Sequence, residues 1–410
     1  MISKYSDNTK KRYGISGVWN IVFIASTVNA YIMLVMLLLN IINGAFGYVA
    51  VENSIEPATL TSSGELDDLS QEELIQLLEE HLSKGLIRRY NFEKPLEDRS
   101  KAEIMSLVFE RIVEPRIIES WNFGESIIHR ESIKNWVSTE HPEAILEFRA
   151  WLRPEFLTSP QSSVPEFAGI RTAILGSFMV IIITIMFAFP IGLGAAIYLE
   201  EYARDNKFSR FIQINIYNLS GVPSIIYGLL GLAVFVRGLE PITSGAIFGF
   251  GDASTANGRT ILSAGLTLAL LILPIIIINS QEAIRAVPQS LRQAGYGVGA
   301  TKWQTIWSHV LPDSMDRILT GTILSVSRAI GETAPIVVIG ASTFISVDPS
   351  NIFSKFTTLP IQIYQWTARP QAEFRHIAAA AIIVLLALLL TLNGFAIFTR
   401  NKISKKRRAN

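Results

Sequence analysis

The sequence contains no cysteine, so it forms no disulfide and supplies no thiolate metal ligand or cysteine nucleophile. It also lacks the pattern G-x-x-x-x-G-K-[ST], the glycine-rich loop that cradles nucleotide phosphates. Its five histidines, at positions 81, 129, 141, 309 and 376, do not have the spacing of a metal site. We therefore expect no cofactor, no metal ion and no catalytic residue, and we predict that the chain is not itself an enzyme.

Charge is scarce as well: 17% of the 410 residues are charged, whereas 49% are hydrophobic. Six stretches contain no Asp, Glu, Lys or Arg, namely 13–51, 172–199, 211–236, 260–281, 333–347 and 376–399. A helix crosses the hydrocarbon core of a bilayer with about 20 apolar residues. Each stretch is therefore a candidate span, the fifth only if Arg328 and Glu332 are included. The pattern predicts an all-α, polytopic membrane protein.

Basic residues at both chain ends predict the topology. Lys4, Lys10, Lys11 and Arg12 precede the first apolar stretch, and Arg400, Lys402, Lys405, Lys406, Arg407 and Arg408 follow the last. By the positive-inside rule both termini are cytoplasmic, which requires an even number of spans. Six spans fit, at about 16–44, 170–199, 211–237, 259–280, 315–344 and 376–400. The tail at 401–410 is then a topology anchor and not a nucleic-acid site.

A polar insert at 45–165 separates the first two spans, and the topology places it outside the cytoplasm. Between 51 and 163 it carries 22 acidic and 12 basic residues, so its surface should repel anions. Two readings remain open: a solvated helical face, or a docking surface for a partner protein. Nothing in the insert has catalytic spacing.

Helix signals in the insert predict a small α-helical domain. Ser70 with Glu73, and Ser100 with Glu103, have the spacing of capping boxes, each followed by apolar residues on one face. Gly85 is expected to stop the first helix and Pro115 the second. Pro142 suits the first turn of a third helix over Ile145, Leu146 and Leu152. Trp121, Trp136 and Trp151 are core candidates.

Arg328 and Glu332 interrupt the fifth apolar stretch. They lie four residues apart, so on a helix they share a face and their charges can meet. If the helix enters the membrane near Arg317, a rise of about 1.5 Å per residue puts Arg328 roughly 16 Å deep. A charge at that depth usually faces a bundle interior or a watery cavity. The pair therefore either holds helices in register or belongs to a substrate path.

The loop at 281–312 has helical periodicity over Ile284, Val287, Leu291, Ala294 and Val298. Gly295, Gly297 and Gly299 then break the helix, and a shorter amphipathic piece with Trp303, Ile306 and Trp307 follows. A helix–glycine turn–helix suits insertion into a groove of another protein. A helix lying flat on the lipid surface would have the same pattern.

This loop resembles the coupling motif of ABC-importer permeases, E-A-A, three residues, G, nine residues, I-x-L-P. Ala294, Gly299, Leu311 and Pro312 match it, whereas Gln293, Gly295 and His309 replace Glu, Ala and Ile. Residues 328–335, RAIGETAP, resemble the R-x-x-G-E-T-A-P signature of phosphate-specific permeases. Residues 190–202 and 218–231 resemble the same permeases, and 359–364 with 373–377 resemble the PstA-type member. Ile278 departs from members that have an arginine there.

The resemblance implies an ABC-permease core at 166–400, preceded by an N-terminus and first span at 1–44. It further implies inorganic phosphate import across the bacterial cytoplasmic (inner) membrane by alternating access. The implied partners are a homologous PstC-type permease, an ATPase dimer and an external phosphate-binding protein, with no nucleic acid. Gln293, Ala294, Gly295, Gly299, Leu311 and Pro312 would couple to the ATPase.

For the substrate path the sequence predicts Arg328, Glu332, Thr333 and Ser325. Arg328 would meet the anion, because a guanidinium binds phosphate in a bidentate manner, and Glu332 would hold it in place. The six glycines at 192, 194, 221, 228, 231 and 331 are expected to be close-packing points and not ligand contacts. Two alternatives remain: a permease for another oxyanion such as phosphonate or sulfate, or a non-transporting membrane sensor acting through the external domain.

Overall fold

The structure is a computed structural model that describes residues 2–60, 66–93, 95–162, 164–249, 257–341, 344–345 and 347–409. Four of its helices are long and apolar enough to cross a membrane. They are α1 (Ile2–Ala45), α8 (Arg171–Ile197, continued by a π-helical turn Tyr198–Tyr202), α12 (Ile261–Arg285) and α18 (Glu373–Ala409). These helices confirm the prediction of a mainly helical, polytopic membrane protein.

The two other predicted spans are broken helices. The stretch at 211–237 consists of α9 (Lys207–Ser220) and α10 (Ser224–Gly231, continued to Gly238 in π geometry), bent by 105°. Pro223 lies in the break, where its ring disfavours helical geometry for the preceding residue. The stretch at 315–344 consists of α15 (Leu311–Gly331) and the short α16 (Ala334–Ile339). Helix α15 is not among the four helices that are apolar enough to cross a membrane, because it carries four charged residues: Asp313, Asp316, Arg317 and Arg328.

Small residues allow the spans to approach closely. A Cβ added to Gly192 would lie 2.7 Å from Cγ2 of Ile276, and one on Gly231 would lie 2.1 Å from Oγ1 of Thr267. Gly228 meets the backbone of Pro335 in the same way, at 2.6 Å from its Cα. The close-packing prediction is confirmed at these three positions. It is wrong at Gly194 and Gly331, which have open space, and at Gly221, whose nearest contact is an ordinary 3.6 Å.

The insert contains a sheet that the sequence did not predict. Strands β1 (Phe46–Asn53), β2 (Pro115–Ser120) and β3 (Ile145–Ala150) form an antiparallel sheet in the order β2-β1-β3. Val49 pairs with Ser120 on one side and with Glu147 on the other, and a bulge lies between Ala50 and Val51. The predicted helix over Ile145 and Leu146 is therefore wrong, and the small α-helical domain that was predicted also contains a three-stranded sheet.

A helical lobe, residues 54–113, lies between β1 and β2. It comprises α2 (Gln71–His81), α3 (Lys84–Glu93) and α4 (Lys101–Val108), followed by a π-helical turn Phe109–Val113. Both capping boxes are confirmed: the hydroxyls of Ser70 and Ser100 accept from the backbone N–H of Glu73 and Glu103. Leu74, Leu78, Ile104 and Val108 are fully buried in the lobe's own core. Gly85 lies inside α3 and does not end α2.

The remaining helices are short. Within the insert they are α5 (Phe123–Ile128), α6 (Arg130–Glu140) and α7 (Pro154–Thr158), and further along they are α11 (Glu240–Thr243), α13 (Gln289–Gly297), α14 (Lys302–Thr305) and α17 (Leu359–Thr367). From Lys302 the helix runs through a π-helical turn, Ile306–Val310, into α15 without a break.

The sheet of the insert and the start of α18 share one hydrophobic core. Trp151 is 3% exposed and packs with Ala45, Phe374 and Ala378. Its ring stacks on His376 at 5.8 Å, while that imidazole contacts the Gly44 carbonyl (2.7 Å) and the Ser120 hydroxyl (3.1 Å). Of the three tryptophans predicted as core candidates, Trp151 is thus buried, whereas Trp136 is 38% exposed and Trp121 is partly buried.

Candidate functional site

Arg328 and Glu332 form an ion pair at the end of α15. Nε of Arg328 donates to Oε1 of Glu332 at 3.2 Å, and the side chains are 52% and 18% exposed. Glu332 leaves the helix with an extended backbone (ψ 115°), so the pair marks the break between α15 and α16. Among the described residues, Glu332 is the one polar partner of this half-exposed guanidinium.

The other two predicted path residues lie differently. Ser325 is 2% exposed, and its hydroxyl donates to the carbonyl of Gly321 at 2.8 Å. It therefore points into the packing of α15 and away from the open side where Arg328 lies. Thr333 is half-buried and precedes α16 without capping it through its side chain. The structure brings Arg328 and Glu332 together, but it does not bring Ser325 to them.

Polar contacts on the packed side of α15 tie it to α18. Ser327 donates to Oδ1 of Asn393 at 2.5 Å, and Arg400 donates to the Thr320 hydroxyl at 2.8 Å. Neither contact was predicted from the sequence, where Arg400 counted only as one of the basic residues that indicate the topology. The asparagine inside the charge-free stretch 376–399 could have indicated the first contact, because a buried amide needs a hydrogen-bond partner.

The close packing of α10 against α16, the helix that follows the break at Glu332, gives a testable prediction. Gly228→Ala would place a Cβ 2.6 Å from Cα of Pro335 and 3.0 Å from Cβ of Val338. Overpacking of this kind typically costs about 1–3 kcal/mol, so the midpoint of thermal unfolding should fall. Gly194→Ala is the matched control, because Gly194 also lies in a helix and has nothing within 4 Å. Equal midpoints for the two variants would contradict the packing assignment.

The loop at 281–312 forms the predicted helix–glycine turn–helix. The first helix is divided, however: α12 ends at Arg285, Pro288 intervenes and α13 starts at Gln289. Gly299 has φ +81°, which glycine adopts at low cost, and it ends the turn after α13. A capping box of Thr301 and Gln304 then starts the second helix.

The predicted coupling residues divide into two groups. Gln293, Ala294 and Gly299 are exposed, as are Tyr296, Val298, Trp303 and Trp307 beside them. Gly295 and Leu311 are buried and Pro312 is partly buried. A Cβ on Gly295 would lie 2.9 Å from Thr305, so alanine, the family's residue here, does not fit this arrangement without a shift. The exposed group offers a surface, and the buried group holds its two helices together.

A buried ion pair between Arg292 and Glu201 connects the loop to the end of α8. Arg292 donates through Nε (3.0 Å) and Nη2 (2.7 Å) to Oε1 of Glu201, and these side chains are 9% and 6% exposed. The same guanidinium donates to the carbonyls of Ile284 (3.0 Å) and Val287 (2.7 Å). Arg285 pairs more openly with Glu200, with both contacts at 2.9 Å. The spacing of residues in the sequence predicted neither pair, although the doublet Glu200–Glu201 at a membrane boundary is the pattern that could have indicated them.

Comparison with known proteins identifies this arrangement. Residues 188–402 match the family described as binding-protein-dependent transport system inner membrane component. The chain belongs to that family.

Two relatives and one solved structure illustrate the likeness. The probable ABC transporter permease YqgI of Bacillus subtilis is 31% identical over 270 residues, 62% of this chain and 86% of its own. The phosphate transport system permease PstA 1 of Mycobacterium tuberculosis is 32% identical over 246 residues, 59% of this chain and 73% of its own. The MetNI methionine ABC transporter, inward facing, matches 57% of this chain and 97% of its own at 16% identity and TM-score 0.42.

As a binding-protein-dependent permease, the chain is a multi-pass inner-membrane subunit of an ABC importer and resembles the PstA type. Permease subunits of these importers are not catalytic, because ATP is hydrolysed by a separate ATPase subunit. This confirms the prediction that the chain is not an enzyme. The family match begins at residue 188, so the insert lies outside it.

A buried carboxyl outside the spans makes the permease's stability depend on pH. Glu166 is 5% exposed, and burial raises its pKa to about 7, although Arg149 and Arg153 act in the opposite direction. Its ordinary pKa is near 4.5, so the folded chain holds a proton that the unfolded chain releases between pH 4.5 and 7. Folding stability attributable to Glu166 is therefore present below pH 4.5 and lost as pH rises to about 7.

Glu166→Gln should remove this dependence. At pH 8 the variant is expected to be more stable than the wild type by about 2–3 kcal/mol, and the difference should vanish near pH 4.5. Thermal unfolding across this range measures the effect. Glu155→Gln, at an exposed position nearby, is the control and should leave the pH profile unchanged. Parallel profiles for wild type and Glu166→Gln would contradict the prediction.

Proposed function

We propose that this chain is the permease subunit of an ATP-driven inorganic phosphate importer and forms the translocation path with a homologous PstC-type permease. The observation that carries the proposal is Arg328: a half-exposed guanidinium with one carboxylate partner, at a helix break, inside the sequence RAIGETAP. Guanidinium matches a phosphate oxyanion geometrically and remains charged. Relatives of this chain named phosphate transport system permease PstA support the same substrate.

The proposed role of Glu332 is to orient Arg328 without neutralising it fully. One Nε–Oε1 contact at 3.2 Å leaves the terminal nitrogens of the guanidinium for an anion. Thr333 follows directly and offers a hydroxyl at the same break. Further positive charge in the path is assigned to the partner permease, because one Arg beside one Glu gives no net charge.

The proposed coupling runs through the exposed residues of the loop. Trp303 and Trp307 stack at 5.4 Å and are 53% and 62% exposed, so they present a firm apolar surface beside α13. This surface would bind in a groove of an ATPase subunit and would move when the ATPase dimer closes. Because α15 begins directly after it, the motion would pass to α15. An external phosphate-binding protein delivers the substrate, with both chain termini in the cytoplasm. The path then opens alternately to each side of the membrane.

Uptake by the reconstituted complex tests the substrate. We expect labelled phosphate to enter proteoliposomes in an ATP-dependent manner, with little competition from excess sulfate or phosphonate. Strong competition by either would assign the path to that other oxyanion. Co-purification tests the class of protein: no accompanying ATPase, together with no ATP-dependent uptake by the reconstituted chain, would support a non-transporting sensor.

A further inference from the structure

The exposed apolar surface of the insert is concentrated in one part of it. Among the described residues of 46–165, seven large hydrophobic side chains are exposed, and six of these seven lie between 123 and 148. None of the seven belongs to the helical lobe at 54–113. Apolar groups that a domain leaves exposed side by side mark a contact surface, whereas single ones need no explanation.

Four of these side chains lie side by side. Phe123 and Ile127 are four residues apart on α5, so they share a face, and Ile128 follows at the end of the helix. The ring of Phe148 lies 6.3 Å from that of Phe123, which adds strand β3 to the group. Tyr48 packs edge-on against Phe148 at 5.5 Å. We call Phe123, Ile127, Ile128 and Phe148 the apolar patch.

Helix α5 lies beside the last turn of α1. The backbone N–H of Gly124, the second residue of α5, donates to Oδ1 of Asn43 at 2.7 Å. Side chains on a helix tilt toward its N-terminus, so this contact lies level with Asn43 or nearer to the middle of the span. The apolar patch is therefore carried at the height of the end of α1 and does not stand above it.

Two spans place the boundary of the bilayer at this height. The charge-free stretch of α18 begins at His376, directly after Arg375. The carbonyl of Gly44 contacts Nδ1 of His376 at 2.7 Å, and a Cβ on Gly44 would lie 3.1 Å from Cβ of Ala379. The end of α1 is thus level with the first turn of the charge-free stretch. Because α5 is bonded to Asn43, it lies at the same boundary.

We propose that the apolar patch inserts into the interfacial layer of the bilayer beside α1 and anchors the insert to lipid. Ile127 and Ile128 are 61% and 75% exposed, as exposed as Ile21 of the span α1 at 68%. The patch thus continues the lipid-facing surface of α1 at the height where the bilayer ends, which favours lipid over a partner protein as its occupant. Interfacial segments bury their apolar face about 5–10 Å into the boundary between headgroups and acyl chains.

The charge of the helical lobe fits this orientation. Residues 54–113 carry 13 acidic and 7 basic side chains, whereas the four residues of the apolar patch carry no charge. Anionic headgroups repel an acidic lobe, so the lobe turns away from the bilayer while the patch enters it. This inference concerns the insert alone and does not depend on Arg328 or on the substrate of the path.

Spin labels on the full-length chain test the anchor. The chain has no cysteine, so Ile127→Cys and Ile128→Cys each create a single labelling site. In nanodiscs of phosphatidylethanolamine and phosphatidylglycerol, we expect both labels to collide more often with oxygen, which dissolves in lipid, than with a water-soluble nickel chelate. Ile21→Cys on α1 and Glu79→Cys on α2 are exposed and supply the reference values for lipid and for water.

Ile145→Cys is the matched control. Ile145 is 62% exposed in the same insert, but it lies three residues from Phe148 on β3 and therefore on the opposite face of the sheet. Its label should be as accessible to the chelate as the label at Glu79. Equal immersion of the labels at Ile145 and Ile127 would mean that the label itself seeks the lipid, and the proposal would lose its support.

Two further results would overturn the anchor. The first is a pair of labels at Ile127 and Ile128 that meet the chelate as often as the label at Glu79 does. The second is shielding from both oxygen and chelate that appears only in the assembled complex, because a partner protein would then cover the patch. Thermal unfolding of each labelled variant, compared with the unlabelled chain, checks that the insert stays folded.

Discussion

Arg328→Gln is expected to lower phosphate uptake by the reconstituted complex by about 10- to 100-fold while the complex still assembles. Loss of a charged hydrogen-bond donor costs about 1.5–3 kcal/mol, and every 1.4 kcal/mol is about tenfold. The guanidinium is half-exposed and bonded to Glu332 alone among the described residues, so few packing contacts are lost. Initial uptake rates in proteoliposomes, normalised to the amount of assembled complex, measure the effect.

Arg317→Gln is the matched control for this prediction. Arg317 is an exposed arginine on the same helix, eleven residues before Arg328, so general effects of charge loss on α15 should appear there too. Arg328→Lys keeps the charge but loses the bidentate fork, so intermediate uptake is expected. Unchanged uptake by Arg328→Gln, with a lowered unfolding temperature, would mean that the ion pair only holds the helices in register.

Arg292→Met is expected to destabilise the permease by about 3–5 kcal/mol, because it leaves an uncompensated buried charge on Glu201. Glu201 has a 6% exposed side chain, and the carbonyls of Ile284 and Val287 lose their donor as well. The loop would then detach from the end of α8. Thermal unfolding of the purified chain measures the first effect, and ATP-dependent uptake measures the second.

Arg285→Met is the matched control, since the Arg285 side chain is 54% exposed. Exposed ion pairs contribute about 0–1 kcal/mol, so this variant should stay close to the wild type. Arg292→Met/Glu201→Met removes both buried charges, and it should recover much of the stability lost in the single variant. Equal losses for Arg292→Met and Arg285→Met would contradict the assignment of Arg292 as the buried anchor.

Local signals predicted the local structure of the insert well. The capping boxes at Ser70 and Ser100 depend on residues three positions apart, so the sequence alone contains what is needed. The sheet depends on distant pairing: Val49 meets Ser120 and Glu147, which lie far along the chain. Strand β1 also continues an apolar run that reads as membrane helix, so periodicity could not separate the strand from the span.

The candidate site shows the same division. The contact of Arg328 with Glu332 followed from their spacing on one helix, as did the turn at Gly299. The pair of Arg292 with Glu201 could not be derived, because 91 residues separate the two side chains and the sequence does not show which helix ends meet. Ser325 was placed beside Arg328 by proximity in sequence. Three residues on a helix correspond to about 300°, so Ser325 and Arg328 are only about 60° apart. The packing of α15 nevertheless buries Ser325 and leaves Arg328 half-exposed, and the sequence does not show where the boundary of the packed side lies.

An uninterrupted helix runs from Lys302 to Gly331 and joins the loop at one end to Arg328 at the other. We take the π-helical turn Ile306–Val310 as the joint about which this helix tilts, because its backbone is wound more widely than that of an α-helix. Arg328 lies about 30 Å from that joint at a rise of about 1.5 Å per residue. A tilt of about 5° at the tryptophan end would therefore swing the guanidinium by about 3 Å, the length of one hydrogen bond. Under the proposed function, binding and release of the anion at Arg328 would therefore need only a few degrees of helix rotation and no unfolding.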